Sequence, residues 1–397
     1  MRMNALALLV LGGLATTWIS ACGDPAPLAS APPAPIVSPS PRPIVPAAIY
    51  SGPTITMVTN PRVKDTDFQA GIGLLVYLND PSYKKEVGPL LNELASDNIN
   101  SLAIGIPLYQ SCWSCNDIHA DPLRTPSKAE LAYIVEQAQL RGFTVMLRPI
   151  LDEASITPLW YNWRGDIHPT NVNTWFANYD AVMLDYAAFA QSEQIDILDL
   201  GTELDSMERY TAAWNSLIAR VRAGYGGELT YSSNWEDHLP STIGRHLDFI
   251  SVDAWYPLSQ AINATIPQLE AGWHGPLGDM KAQSRASGVP VVATELGMIP
   301  FPGVNYRPWA PTSPGYAYEP QVQHNYYQAA CSALSRSMPG MYWWDINLRQ
   351  PPPPSSAFDP LSVPGTEAII KACYGALPRN FVPTAHSRWL AHHYAQE

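Results

Sequence analysis

The chain has 397 residues, 46% of them hydrophobic, enough for two or three domains or for one large barrel of about 250–300 residues. Its net charge is −12 and only 15% of residues are charged, which excludes the clustered cations needed to hold nucleic acid or to dock on an anionic membrane surface. Against that low charge stand 13 Trp and 20 Tyr, which suit neutral, flat ligands such as sugars, although a large barrel also buries many aromatics.

The chain opens on Met1-Arg2-Met3, a short cationic start, and an apolar run from Ala5 to Trp18. That run is too short for an ordinary membrane span and reads as a targeting segment. The stretch "ISAC", ending at Cys22, resembles the bacterial lipobox, whose cysteine is lipidated and becomes the new N-terminus. Residues 1–21 are therefore expected to be a lipoprotein signal peptide, and Cys22 the site of a lipid anchor. An ordinary cleaved signal with a stray cysteine is the alternative. The position after Cys22 is Gly23 rather than an aspartate, which disfavours retention at an inner membrane. Export to a bacterial cell envelope or surface follows. Residues 22–60 are rich in Pro, Ala and Ser, cannot bury a core, and read as an extended tether.

From residue 68 short apolar runs alternate with helical stretches. The spacing predicts a strand over 70–78, a helix over 86–98 and a strand over 99–107. The next helix, 127–142, has Ser127 as N-cap, Glu130 three residues on and Gly142 as stop. A strand at 143–150, a helix at 173–193 and a strand at 196–201 follow. Then come a helix at 208–226, strands at 228–235 and 247–257, a helix at about 265–287 and a strand at 289–297. A helix near 321–337, a strand at 340–347 and a helix at about 364–375 complete the series. Strands apolar throughout, each followed by a helix, imply a parallel sheet covered by helices. Eight of them imply an α/β fold, the (β/α)8 TIM barrel, over 61–378, with 379–397 as a C-terminal tail. No glycine-rich phosphate-binding loop follows the first strand, which disfavours a nucleotide site.

With Cys22 set aside, four cysteines remain for an oxidising compartment, and the expected disulfides are Cys112–Cys115 and Cys331–Cys373. A metal or redox reading of "CWSC" lacks a second Cys/His pair at ligand spacing. His119, His168, His238, His246 and His274 fall in predicted loops and helices with no His-x-His pair, so neither metal nor cofactor is expected.

In such barrels the active site gathers at the C-terminal ends of the strands. The polar residues that interrupt apolar runs fall there: Arg148 and Asp152 after the third strand, Glu203 after the fourth, Asn234 and Trp235 after the fifth. Asp253 and Tyr256 follow the sixth, Glu295 the seventh, and Trp343, Trp344 and Asp345 lie on the eighth. Any single acid could be a helix cap or a salt-bridge partner. Two glutamates ending buried strands on opposite sides of a barrel mouth fit other chemistry. One carboxylate can attack an anomeric carbon while the other donates and reclaims a proton, giving retention at a separation of about 5–5.5 Å. The charged partner would keep the acid protonated near neutral pH, and Arg148 would lower the nucleophile's pKa.

These residues carry a resemblance. "TPSKAELAYIVEQAQLRGFTVMLRPILD", "WRGDI", "DLGTELDS", "LTYSSNWED", "DFISVDAWYPL", "PVVATELGM" and "GMYWWDIN" are similar to stretches of glycoside hydrolase family 113, a clan A family that includes β-1,4-mannanases. They cover about 68–347. The resemblance implies Glu203 as acid/base and Glu295 as nucleophile. It implies sugar contacts from Trp163, Asn234, Trp235, Asp253, Tyr256 and Trp344. Two positions depart from the family's pattern: Ile150 stands where a polar residue is expected, and Trp255 where a tyrosine that hydrogen-bonds the nucleophile is expected, a role Tyr256 would have to take over. The expected function is a retaining endo-β-glycosidase acting on a polysaccharide or oligosaccharide, foremost β-1,4-mannan. Another β-glycan as substrate, transglycosylation, and a non-catalytic sugar-binding lipoprotein are the alternatives.

Overall fold

A computed structural model describes residues 68–377 apart from 78, 154–155, 157–162 and 349–357. The signal segment, Cys22, the tether and the tail lie outside the described residues.

Eight strands pair in sequence order and in parallel around a closed barrel. They are β1 (Gln69–Leu75), β2 (Ser101–Leu108), β3 (Thr144–Leu151), β4 (Ile197–Thr202), β5 (Glu228–Asn234), β6 (Ile250–Asp253), β7 (Val291–Leu296) and β8 (Gly340–Asn347). The helices are α1 (Tyr83–Ser96), α2 (Lys128–Gln139), α3 (Val172–Ser192), α4 (Asp205–Glu208) and α5 (Thr211–Arg222). They continue with α6 (Ser241–Gly244), α7 (Ile266–Gly272), α8 (His274–Ser287), α9 (Pro320–Leu334) and α10 (Thr366–Gly375). The expected (β/α)8 barrel is the observed fold.

Local chemistry places these elements. Ser127 and Glu130 form the capping box expected at the start of α2, satisfying donors that a helix terminus would otherwise leave open. Gly142 takes a φ of 82° in the turn into β3, a left-handed conformation that costs glycine nothing. Three expected elements differ. The helix expected at 208–226 is the shorter α5, with the separate α4 ending at Glu208 before it. The carbonyl of Met207 accepts from the Trp214 indole at 3.0 Å, so it is engaged by a side chain where the chain changes direction. The helix expected at 265–287 is two pieces, α7 and α8. β6 is four residues long rather than eleven, because pairing with both neighbours ends at Asp253, opposite Asn234 and Glu295.

The barrel interior is layered by the two-residue repeat of the strands. A lower layer of Ala103, Met146, Ile197, Phe249, Val292 and Tyr342 is apolar and buried. Gly71 makes room for the Tyr342 ring, which a Cβ there would meet at 2.1 Å. Two residues further along the same strands stand Arg148, Asp199, Ser251, Thr294 and Trp344. The change from an apolar to a polar layer occurs inside the cylinder, directly before the strand ends that carry Glu203 and Glu295.

Both expected disulfides are present. Cys112–Cys115 closes a turn in the β2–α2 loop, with Cα atoms 5.0 Å apart. Cys331–Cys373 joins α9 to α10, with Cα atoms 6.0 Å apart. Both spans lie within the range a disulfide bridges without backbone movement.

Candidate active site

The floor of the site is Arg148, fully buried on β3. Its Nε donates to Asp199 at 3.0 Å, its Nη2 donates to both oxygens of Asp253 at 3.1 and 3.2 Å, and its Nη1 lies 3.0 Å from Glu295 Oε1. One guanidinium thus faces three carboxyl groups. Asp199 also accepts from Ser232 Oγ at 2.6 Å, and Asp253 from Thr294 Oγ1 at 3.0 Å. Burial pushes Asp253 well above the ordinary carboxylate range, while Arg148 pulls it down and Glu295 and Asp199 add to the rise. The attraction of nearby acids keeps Arg148 cationic in spite of its burial.

Glu295 sits on this floor, only 6% exposed. Trp255 Nε1 donates to its Oε2 at 2.9 Å. The indole therefore takes the place expected for a tyrosine hydroxyl, and Tyr256 does not: its ring packs edge-on against Trp235 and Trp273. The Trp255 ring is itself held edge-on by Phe358, at 5.5 Å between centroids. Burial raises Glu295 to about 7, Glu203 adds to the rise, and Arg148 and the Trp255 hydrogen bond oppose it.

Glu203 ends β4 through a backbone irregularity. The β4–β5 register slips between Asp199 and Thr202, and Glu203 adopts a φ of 51°, a left-handed conformation that costs a non-glycine residue roughly 1–2 kcal/mol. Three hydrogen bonds hold the segment. Glu203 N donates to Ser232 O at 2.8 Å, Leu204 N to the Tyr231 hydroxyl at 3.2 Å, and Ser206 Oγ to Ile167 O at 2.6 Å. The last of these ties the β4 end to the "WRGDI" segment. From that segment Arg164 Nη1 donates to Glu203 Oε2 at 2.6 Å, while its Nε donates to Leu151 O at 2.9 Å and its Nη2 lies 3.4 Å from Glu153. Glu203 is 7% exposed. Burial raises it to about 7, Arg164 opposes, and Asp253 and Asp205 add to the rise. The sequence led us to expect an acid kept protonated by an anionic partner. The structure adds a cation on that acid, and desolvation outweighs it.

The remaining sequence-derived residues form flanking groups. Asn234 Nδ2 donates to Asp205 Oδ2 at 3.2 Å, which anchors the turn after Glu203 from the end of β5. Trp235, next in sequence, stacks on Trp309 at 5.4 Å and 24°. Trp344 lies over Arg148, whose guanidinium carbon is 5.9 Å from the ring centre. The Trp163 ring covers Gly165, where a Cβ would meet it at 2.4 Å, and so shapes the turn bearing Arg164. Asp152 follows β3 and acts electrostatically on Tyr77 and Tyr109. Ile150, the other departure, is buried in the wall with 2% exposure. Among the described residues no group of three or more His, Cys, Asp or Glu side chains is arranged to hold a metal ion.

Sequence reasoning missed Arg164, Trp255 and Tyr77 as parts of the site. Trp255 had a signal, since it stood out as a departure. Tyr77 also had one, as an aromatic following β1. Arg164 had none beyond its place in "WRGDI".

The arrangement can be set beside known proteins. No curated protein sequence matches the chain. Among solved structures, the GH113 β-mannanase from Alicyclobacillus acidocaldarius, in complex with ManMIm, superposes with a TM-score of 0.68 at 23% identity over 78% of this chain and 98% of that one. A GH113 β-1,4-mannanase complex gives 0.67 at 20% identity over 78% and 99%. A Glycoside Hydrolase Family 5 mannosidase from Rhizomucor miehei gives 0.53 at 13% identity over 82% and 98%. At these identities the likeness is one of fold. The sequence profile of Glycoside Hydrolase Family 113 matches residues 81–358, more than half of the chain, and on that match the protein belongs to this family of glycoside hydrolases.

Proposed function

We propose that the protein is a retaining endo-β-1,4-mannanase in which Glu295 is the nucleophile and Glu203 the acid/base. The observation that carries this reading is the pair itself. Two buried carboxyl groups end β4 and β7, Glu295 feels the charge of Glu203, and both sit near pH 7. Glu295 is gripped from below by a buried guanidinium and from the side by an indole N–H, so its oxygens are fixed in place, as attack on a sugar carbon requires. Glu203 rests on a partly exposed arginine and on a segment tied to a loop, which suits a group that gains and loses a proton in each turnover.

In the first step Glu295 Oε attacks the anomeric carbon, the glycosidic C–O bond breaks, and the Glu203 proton passes to the departing oxygen. In the second, Glu203 takes a proton from water, the hydroxide oxygen bonds to the anomeric carbon, and the Glu295–sugar bond breaks. The GH113 and GH5 neighbours that act on mannose-containing glycans support mannan as the substrate. The reading extends to the cell envelope: the lipobox-like "ISAC" supports a lipid anchor at Cys22. Acyl labelling that survives Cys22→Ser would overturn the anchor.

The test is proton NMR of the first products formed from mannan. Retention gives the β-anomer before mutarotation, and an initial α-anomer rules out the double displacement. Glu295→Ala should abolish turnover by at least about 10⁴-fold. Glu203→Ala should lose about 10²–10⁴-fold on mannan, and less on aryl glycosides whose leaving group needs no proton.

A further inference from the structure

Six large apolar side chains are prominently exposed among the described residues, and four of them gather in one place. Tyr306 (47%), Trp309 (43%) and Tyr316 (43%) lie on the segment between β7 and α9, and Ile262 (50%) is joined to it where Gly303 N donates to Ile262 O at 2.7 Å. Exposing such surface costs about 25 cal/mol for each Å² left in water, so a cluster of it calls for an occupant.

The segment is firmly built. Asn305 is fully buried, and its Nδ2 donates to Ser259 O at 2.7 Å and Ala261 O at 3.1 Å. Leu258 N donates to Asn305 O at 2.9 Å, Ser313 Oγ to Pro302 O at 3.0 Å, and Glu319 N to Pro300 O at 2.8 Å. The backbone carrying the exposed rings is thus fixed before any ligand arrives, and Trp309 is stacked on Trp235, which lowers the entropic cost of binding. They are also continuous with the catalytic centre. Trp309 stacks on Trp235, which follows Asn234, which bonds Asp205 two residues after Glu203.

Resting on the proposed reading of the catalytic cleft, we infer that Trp309 and its neighbours on 299–319 form a distal subsite that holds a neutral polysaccharide backbone beyond the sugar being cleaved. Charge chooses the occupant. Residues 299–319 contain one cation, Arg307, and one anion, Glu319, and the whole chain carries −12. The two cancel, so the segment has no net charge to favour a uronic acid polymer, whereas the C–H faces of neutral hexoses stack on indole and phenol rings without any counter-charge.

The experiment is affinity electrophoresis of the Glu295→Gln chain through gels containing galactomannan, glucomannan, mixed-linkage β-glucan, xylan or polygalacturonate. The parent should be retarded by one or more of the neutral polymers and not by polygalacturonate. Adding Trp309→Ala should weaken the apparent affinity about fivefold, and Trp309→Phe, which keeps an aromatic face, should stay within about twofold. Equal retardation of the alanine variant, absence of retardation of the parent in every gel, or retardation by polygalacturonate would each overturn the subsite. Hydrolysis of the same polymers by the unsubstituted chain is scored separately. A chain that is retarded through Trp309 yet cleaves none of them would refute the hydrolytic reading and leave the subsite standing.

Discussion

The two ends of the proposed catalytic pair are built on the same plan from unlike material. Each glutamate closes a buried strand and each meets an arginine, but Arg148 is fully buried on a barrel strand while Arg164 is 18% exposed on a turn after β3. Arg148 is shared among Asp199, Asp253 and Glu295, so its position is fixed several times over. Arg164 is held by one carbonyl, a glutamate beside that carbonyl, and Glu203 itself. The lesson is that a cation can be foundation or fitting. Under the proposed nucleophile it belongs to the barrel; against the proposed acid/base it belongs to a turn.

The largest break between the two should come from Arg148→Met. It would leave three buried carboxyl groups with no cation, a loss of about 3–5 kcal/mol as for other broken buried pairs, read as a lower urea midpoint. Arg164→Gln should cost less, about 1–3 kcal/mol, because the Glu203 carboxyl can take up a proton in place of the lost hydrogen bond. Equal destabilisation by the two substitutions would erase the distinction between them.

A smaller effect isolates the other support of Glu295. Trp255→Phe keeps the ring against Phe358 but removes the N–H that reaches Glu295 Oε2 at 2.9 Å. A hydrogen bond to a charged group contributes about 1.5–3 kcal/mol, so kcat/KM should fall about 10- to 100-fold with the urea midpoint little changed. A loss confined to stability would make Trp255 a packing residue only.

Much of this asymmetry could be anticipated at the β7 end and little of it at the β4 end, for a physical reason. Arg148, Asp253 and Glu295 are strand residues, and a two-residue repeat fixes which of them face inward. The same repeat made the closed barrel legible, and the cysteine count made both disulfides legible. Arg164 reaches Glu203 through the path of a loop, and no periodicity constrains that path. The left-handed turn at Glu203 was equally hidden, because the residue there is not the glycine that announces such a conformation. Trp255 fell between these cases. Its position was marked, but whether its N–H met the nucleophile depended on a distance that sequence does not carry. The helix expected at 208–226 came out shorter and the one expected at about 265–287 came out broken for a related reason: side chains and close backbone contacts interrupted patterns that were continuous in hydropathy.

The smallest effect bears most directly on how the proposed acid/base would work. Burial raises the Glu203 carboxyl to about 7 while Arg164, 2.6 Å away, holds it down. Asp253 and Asp205 add to the rise, and Glu295 and Glu203 repel each other. Removing the guanidinium in Arg164→Gln therefore favours the protonated acid. In the free enzyme that acid must carry its proton for the first bond to break, so the alkaline limb of kcat/KM should move to higher pH, by about one unit. The second step asks the opposite, because Glu203 must then accept a proton from water. At the acid end of the range, kcat should fall in Arg164→Gln wherever the second step limits turnover, and a covalent intermediate should accumulate as a burst of aryl leaving group. A downward shift of the alkaline limb would mean that Arg164 does not act on the charge of Glu203. An unshifted limb with only a raised KM would make Arg164 a substrate contact rather than a positioning residue for the acid/base.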